Sequence, residues 1–287
     1  MVHRSAYAVL MPLAPWEAPE ILAEALESLQ RQTLPPKQVV ISCDGTPSPA
    51  LHRCLVTSGL PIELVFGSGS EGVGPVLARG LLHCREELVL RCDADDLSLP
   101  ERAARQVSWM HQHPGVLVMS TPISEFMDRP DQLLLQRWVP IDPEEISRVS
   151  RLRNPFNHPS VILRRSAVLA AGNYRSVPGF EDYELWLRLL AAHGPSALAN
   201  LPEALVLARV GPAHLRRRHG WGYAMAEARF LLQCGRRGLL PIWCVIRSLL
   251  FRVPLRLVPP YCLAGVMGAV TRRAVPEAER TTKNSKL

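Results

Sequence analysis

Three carboxylates lie within four residues at Asp93-Ala94-Asp95-Asp96. Mutual repulsion raises the free energy of such a cluster unless a cation relieves it. Mg²⁺ and Mn²⁺ prefer hard oxygen ligands, commonly one or two carboxylates together with substrate phosphates. One interpretation is therefore a divalent metal site. The other is an acidic cap on a helix that begins near Pro100 and Glu101.

A second acidic pair, Glu181-Asp182, precedes a stretch whose periodicity predicts a helix with Leu185, Trp186 and Leu189 on its buried face. A carboxylate in this position could act as a general base that deprotonates an acceptor hydroxyl group. Acidic residues are also favoured in the first turn of any helix by the helix dipole. The pair alone leaves both interpretations open.

The segments that must position these acids alternate between short apolar runs and helical patterns. Strands are predicted over residues 7–11, 38–42, 62–66 and 88–92, with helices over 18–32, 49–58 and 76–84 between them. This alternation predicts an α/β fold with a parallel, doubly wound sheet. Ligands of such sheets bind at the carboxyl ends of the strands, where Asp44 and Asp93 both lie. We therefore expect the acids to share one crevice.

The net charge of +7 is concentrated in the arginine-rich second half of the chain. Such a half suits phosphate groups, an anionic membrane or nucleic acid. The sequence has no zinc-finger spacing and no aromatic RNA-binding signature, so we expect no nucleic-acid partner. The seven cysteines form no CxxC pair, and Pro12 and Pro15 interrupt the N-terminal apolar run. Both features favour a cytoplasmic protein with reduced thiols and no secretory signal.

From residue 211 onward the composition changes to arginine and large apolar residues. We predict a catalytic domain over residues 1–210 and a basic helical extension over 211–287 that ends in a disordered tail. The stretch 239–270 contains arginines and prolines and should not cross a bilayer. Apolar side chains interleaved with Arg247, Arg252 and Arg256 favour a peripheral position on an anionic membrane. Packing against the domain or a second subunit is the alternative.

Taken in order, these features resemble the inverting family 2 glycosyltransferases of the GT-A fold, over about residues 5–210. The shared order is a strand, Asp44-Gly45, the glycine-rich run 67–74, a strand, the acidic turn and the acidic pair before a helix with a tryptophan. The stretches 154–160 and 180–183 are similar to bacterial enzymes of exopolysaccharide and lipopolysaccharide assembly, of the amylovoran type. The resemblance implies a Rossmann-like, mostly parallel sheet flanked by helices.

The resemblance also implies residue roles. Asp95 would coordinate a Mg²⁺ or Mn²⁺ ion that bridges the diphosphate. Asp93 would lie by the ribose or by the metal. Asp44 would accept a hydrogen bond from the nucleotide base. Asp182 would be the catalytic base, with Glu181 beside it. The other residues of the nucleotide pocket would be Pro12, Leu13, Gly72 and Arg79.

The implied reaction moves a sugar from a nucleotide-diphosphate donor, most often a UDP-sugar, to a hydroxyl of a glycan acceptor that is commonly lipid-linked. One displacement inverts the anomeric configuration without a covalent intermediate. Two positions depart from the family pattern. Cys43 stands where a second acid often precedes Asp44, and Ala14-Pro15-Trp16 replaces a Tyr-Asn pair. We expect the pocket wall to differ there.

Several assignments stay open in the sequence. His158 could contact the acceptor or the diphosphate, or be a structural histidine beside Pro159. His214 and the run Arg216–Arg218 could clamp the diphosphate or form a solvated loop. Two other classes are a non-catalytic GT-A-like binding protein, and a nucleotidyltransferase. The latter would need a glycine-rich basic loop after the first strand, and residues 11–17 contain neither glycine nor a basic residue.

Overall fold

The chain forms two β-sheets, and helices cover both faces of the larger one. The structure, a computed structural model, describes residues 6–211 and 219–258 together with the backbone of residues 272–273. The strands are β1 (Tyr7–Leu13), β2 (Gln38–Cys43), β3 (Ile62–Phe66), β4 (Leu88–Arg91), β5 (Leu97–Ser98), β6 (Val118–Ser120), β7 (Ile123–Phe126), β8 (Leu133–Arg137), β9 (Ile162–Arg164), β10 (Leu198–Asn200), β11 (Val206–Arg209) and β12 (Arg272–Arg273). The helices are α1 (Pro19–Gln30), α2 (Pro49–Thr57), α3 (Val73–His83), α4 (Arg102–Gln112), α5 (Pro143–Ser150), α6 (Arg165–Ala170), α7 (Glu181–His193), α8 (Trp221–Arg236) and α9 (Ile242–Leu255).

The larger sheet has the strand order β10-β6-β9-β4-β1-β2-β3. Strand β9 runs antiparallel to its neighbours β4 and β6, and the other neighbouring pairs are parallel. Side chains alternate along β1: Tyr7, Val9 and Met11 pack with α1, α2 and α4, whereas Ala8 and Leu10 pack with α3 and α7. Burial on both faces explains why the strands read as continuous apolar runs. The predicted α/β fold with a mostly parallel sheet flanked by helices is confirmed.

A smaller sheet, ordered β12-β8-β7-β11-β5, holds the acidic turn from its other side. Strand β5 begins directly after Asp96 and pairs antiparallel with β11, which runs parallel to β7. The turn therefore joins the end of β4 in the large sheet to β5 in the small one. The sequence suggests only a polar insertion over residues 124–150, because β8 is short and largely exposed and gives no clear apolar alternation.

Helix α8 packs directly on α7 and on the loop before it. The ring of Phe230 in α8 stacks on Phe180 with centroids 4.7 Å apart and lies 5.2 Å from the ring of Tyr183. Arg237, at the end of α8, forms an ion pair of 3.1 Å with the buried Glu184 of α7. These contacts join the extension to the helix that begins with the acidic pair.

An ion cluster between α8 and α9 uses two arginines that the sequence pattern assigns to a membrane-facing surface. Glu227 is fully buried, and it accepts hydrogen bonds from Arg252 and, at 2.7 Å, from Nε of Arg256. Arg252 also donates to the carbonyl oxygen of Leu152, just after α5. Of the three arginines in the predicted membrane segment, only Arg247 is exposed. The expected position on a membrane surface is therefore wrong for Arg252 and Arg256, whose contacts instead hold the extension in place.

The two helices agree with the predicted helical extension, while the division of the chain at residue 210 stays a prediction. The predicted tail over 277–287 and residues 259–270 of the predicted membrane segment lie outside the described residues. Among the helices that the structure describes, none combines the length and the apolar character needed to cross a bilayer.

Candidate active site

The acidic turn brings three carboxylates together at the end of β4. Asp93, Asp95 and Asp96 each offer a carboxylate oxygen, and these atoms all lie within 4.8 Å of one another. Oxygen atoms of this kind and spacing suit a hard divalent cation such as Mg²⁺ or Mn²⁺. The family resemblance implies metal contacts for Asp93 and Asp95, and the structure adds Asp96 to this group.

Arg91 neutralises part of this charge. Its buried guanidinium contacts both carboxylate oxygens of Asp93, at 2.6 Å and 2.5 Å. Burial, the charge of Asp93 and the nearby Glu17 nevertheless raise the pKa of Asp95 to about 6. Burial and the two neighbouring carboxylates also raise the pKa of Asp96 well above its ordinary value. Carrying all three negative charges is therefore unfavourable with only Arg91 in contact with Asp93, and a bound cation would relieve that repulsion.

Two further arginines fix the shape of the turn. The backbone N–H of Arg209, at the end of β11, donates to Oδ1 of Asp96 at 2.9 Å, and its Nε donates to the carbonyl oxygen of Asp95 at 3.3 Å. The buried Arg102 donates to the carbonyl oxygen of Arg91 at 2.7 Å and to Oγ of Ser98 at 3.0 Å. Sequence reasoning missed both residues, because no local pattern shows that these arginines reach back to the turn.

Asp182 accepts hydrogen bonds from neighbouring residues, one of them from the backbone N–H of Tyr183 to its Oδ1 at 2.7 Å. Nδ2 of Asn154 donates to its Oδ2 at 2.6 Å, and Nδ1 of His158 lies 3.9 Å from the same oxygen. Nε2 of His158 lies 3.2 Å from the hydroxyl of Tyr174. Burial, and then the charge of Arg91, lower the pKa of His158 well below its ordinary value, so the imidazole is neutral near pH 7. These donors orient the carboxylate beside a neutral imidazole, an arrangement that suits a proton acceptor.

Glu181 lies beside Asp182 and faces the start of α3. Burial, and then the charge of Asp182, raise its pKa to about 7, while Arg91 acts in the opposite direction. A Cβ added to Gly74 would lie 3.3 Å from Cβ of Glu181 and would clash with the carbonyl of Arg175. The charge of Arg91 thus acts on the carboxylates of both the acidic turn and α7. The structure therefore brings both predicted acidic elements within electrostatic range of one buried arginine.

The residues predicted for the nucleotide pocket gather at the carboxyl ends of β1 and β2. The buried Asp44 accepts a hydrogen bond of 3.0 Å from the Glu71 amide. Arg79 contacts the Glu71 carboxylate at 2.5 Å and donates to the Cys43 carbonyl oxygen at 3.0 Å. In this structure Asp44 and Arg79 hold the glycine-rich loop, and Gly72 ends that loop with a φ of +84° before α3 begins.

Pro12 and Leu13 end β1 beside Ser42 and Cys43 of β2. The Leu13 side chain belongs to the apolar core, so a contact from this residue to a nucleotide would come from its backbone. The predicted clamp of His214 and the arginine run 216–218 lies outside the described residues.

A mostly parallel sheet with an acidic turn at its carboxyl edge, and an acidic pair at the start of a helix packed beside it, defines the GT-A class of fold. The family model described as glycosyl transferase family 2 matches residues 16–172, more than half of the chain, and the chain belongs to that family. The match includes Asp44, Gly72, Arg79 and the acidic turn. Pro12, Leu13 and the pair Glu181-Asp182 lie outside it.

Relatives similar in sequence come from several bacteria. The chain is 36% identical over 225 residues to the amylovoran biosynthesis glycosyltransferase AmsE of Erwinia amylovora, covering 78% of this chain and 83% of the relative. It is 29% identical over 269 residues to an Escherichia coli UDP-Gal:alpha-D-GlcNAc-diphosphoundecaprenol beta-1,3-galactosyltransferase, covering 93% and 97% of the two chains. These relatives favour the transferase interpretation over the nucleotidyltransferase one.

Solved structures share the fold at lower identity. The mannosyltransferase PcManGT of Pyrobaculum calidifontis, solved with GDP-Man and Mn²⁺, superposes with a TM-score of 0.63 at 17% identity and covers 99% of this chain and 80% of that one. TarS residues 1–349 of S. aureus, solved with UDP-GlcNAc, gives a TM-score of 0.61 at 16% identity, covering 96% and 77%.

Proposed function

We propose that the protein is an inverting, metal-dependent hexosyltransferase that moves a sugar from a UDP-sugar to a hydroxyl group of a lipid-linked glycan. The product would enter a bacterial surface polysaccharide. The observation that carries this proposal is the pairing of a crowded acidic turn with a separate carboxylate, Asp182, that accepts hydrogen bonds from Asn154 and from the backbone of Tyr183. A UDP-sugar and a lipid-diphosphate acceptor are supported by the activity for which the E. coli relative is named, and the polysaccharide pathway by the name of AmsE.

In this mechanism Asp93 and Asp95, with Asp96 beside them, would hold the divalent cation and through it the donor diphosphate. A bound cation of this kind neutralises the charge that builds up on a leaving nucleoside diphosphate. Arg91 holds Asp93 in place, and Arg209 and Arg102 hold the backbone of the turn.

Asp182 then accepts the proton of the acceptor hydroxyl as that oxygen attacks the anomeric carbon. The new glycosidic bond forms on the face opposite the bond to the diphosphate, which breaks with its electron pair going to the diphosphate oxygen. Asn154 keeps the carboxylate of Asp182 in one orientation during this step. A single displacement inverts the configuration and needs no covalent intermediate.

We place this reaction on the cytoplasmic face of a membrane. A lipid-linked acceptor requires the enzyme to work at a bilayer surface. The six cysteines that the structure describes are free thiols, which suits a reducing compartment.

The test is a panel of nucleotide sugars incubated with Mn²⁺, the protein and a synthetic lipid-diphosphate glycan in detergent. We expect nucleoside diphosphate release with one donor, and a proton NMR coupling that shows an inverted anomeric configuration. Asp95→Asn and Asp182→Asn should each abolish most of the release. Release of pyrophosphate, a retained configuration, or donor binding without any product would contradict the proposal.

A further inference from the structure

Helix α9 presents a continuous apolar face to solvent. Its large exposed side chains are between 40% and 68% accessible and recur at helical spacing: Ile242, Trp243, Ile246, Leu250, Phe251 and Leu255. The opposite face of the helix, with Cys244, Val245 and Ser248, is buried. Single exposed apolar residues are ordinary, but a contiguous patch on one short helix indicates an interaction surface.

The charge around this face is positive. Glu227 is the only acidic residue between positions 219 and 258, and it is fully buried against two arginines. Arg229, Arg236 and Arg247 are exposed. Arg247 lies among the apolar side chains of α9, where its aliphatic stem can follow the apolar surface while the guanidinium reaches the head groups.

We infer that this face of α9 docks the protein on a lipid bilayer that carries anionic head groups. An apolar stripe with exposed arginines and no exposed acid in residues 219–258 has the charge complementarity that such a surface needs. A second copy of the chain fits less well, because a two-fold interface would bury Arg247 against the same patch, which offers no exposed acid within residues 219–258. The inference rests on the proposed function, since the lipid-linked acceptor would lie in this bilayer.

The position of α9 in the fold relates docking on the membrane to the position of Asp182. Helix α9 packs with α8, whose Phe230 contacts Phe180 and Tyr183 on either side of the acidic pair, and Arg252 of α9 donates to the carbonyl oxygen of Leu152. Docking through α9 therefore holds the base Asp182 at a fixed height relative to the surface in which the acceptor is anchored.

The test measures sedimentation of the full chain with vesicles of phosphatidylcholine, alone or mixed with phosphatidylglycerol. We expect binding to the mixed vesicles that weakens with salt. Leu250→Glu with Phe251→Glu should weaken it at least tenfold, and Arg247→Gln about fivefold, the contribution of one cation near an anionic surface. Matched controls on the exposed face of α2, Val56→Glu and Arg53→Gln, should bind like the natural sequence.

Binding that is equal in all variants, or equal with and without phosphatidylglycerol, would overturn the inference. A dimer that Leu250→Glu dissociates, with no vesicle binding, would overturn it in favour of a second copy. Transfer in detergent is measured in parallel. A chain that transfers sugar but never binds vesicles contradicts only the docking, and one that binds vesicles without transfer contradicts only the proposed function.

Discussion

The acidic turn and the acidic pair use the same side-chain chemistry in opposite surroundings. Asp93, Asp95 and Asp96 crowd one another, and burial together with that crowding raises the pKa of Asp95 to about 6. Asp182 instead contacts an amide and lies near a neutral imidazole, contributed by Asn154 and His158. The comparison teaches that number and surroundings separate the roles: a crowded set of carboxylates calls for a cation, and a carboxylate oriented by hydrogen bonds from Asn154 and Tyr183 can take a proton.

Removing the proton acceptor should have the largest effect. Asp182→Asn keeps the size of the side chain but cannot accept the acceptor proton, so we expect kcat to fall about 10³-fold. Steady-state transfer with a saturating donor is the measurement. Activity within tenfold of the natural enzyme would assign the base to another residue.

Disrupting the metal cluster should come next. Asp95→Asn removes one hard anionic ligand, and we expect kcat/KM for the donor to fall about 100-fold and its Mn²⁺ requirement to rise. Titration of activity with Mn²⁺ checks this. Glu17→Gln, next to the turn but outside the cluster, is the control and should have a small effect.

Removing the hydrogen bond that orients Asp182, while keeping Asp182 itself, should have a moderate effect on kcat. Asn154→Ala deletes a charge-assisted hydrogen bond of 2.6 Å to Asp182, and we expect about a tenfold loss in kcat with little change in donor KM. Asn154→Asp would place a negative charge at the same oxygen and should be worse than alanine. A larger effect on donor KM than on kcat would mean that Asn154 serves the turn instead.

The pH dependence should separate Glu181 from Asp182. Glu181, whose pKa is about 7, gains its charge as pH rises through 7, and this nearby charge makes Asp182 a stronger base. We expect Glu181→Gln to lower kcat only about threefold above pH 7 and to remove an inflection of kcat near that pH. An unchanged inflection would exclude Glu181 as its source.

The free energy of unfolding should depend directly on the crowding of carboxylates in the acidic turn. Because the pKa of Asp95 is raised on folding, its contribution to stability is full below about pH 4 and is lost as pH rises through about 6. At pH 7.5 without metal, Asp95→Asn should raise the free energy of unfolding by about 1 kcal/mol, with allowance for solvent screening. Thermal melts with and without Mn²⁺ measure this. Mn²⁺ should stabilise the natural protein more than the variant, and the reverse would contradict the cluster.

Local sequence pattern predicted the large sheet well because β1, β2 and β4 are buried on both faces and read as apolar runs. It missed the direction of β9 and the small sheet, since strand pairing is decided by contacts between segments far apart in the chain. The predicted site residues Asp44, Asp93, Asp95 and Asp182 were visible because acids after a strand or before a helix stand out locally.

The supporting residues could not be found in this way. Asn154 reaches Asp182 across 28 positions and Arg209 reaches Asp96 across 113, so neither has a local signature. The pattern at Arg252 and Arg256 suggested a basic surface, because the sequence does not show that the single acid Glu227 is buried between them.

The division of roles between the two acidic regions is tested most directly by calorimetric titration of the UDP-sugar donor, in the presence of Mn²⁺, into three proteins. The natural sequence and Asp182→Asn should bind the donor with affinities within about threefold of each other, although the variant does not turn over. Asp95→Asn should bind at least tenfold more weakly. Donor binding that is lost in Asp182→Asn, or preserved in Asp95→Asn, would contradict the account.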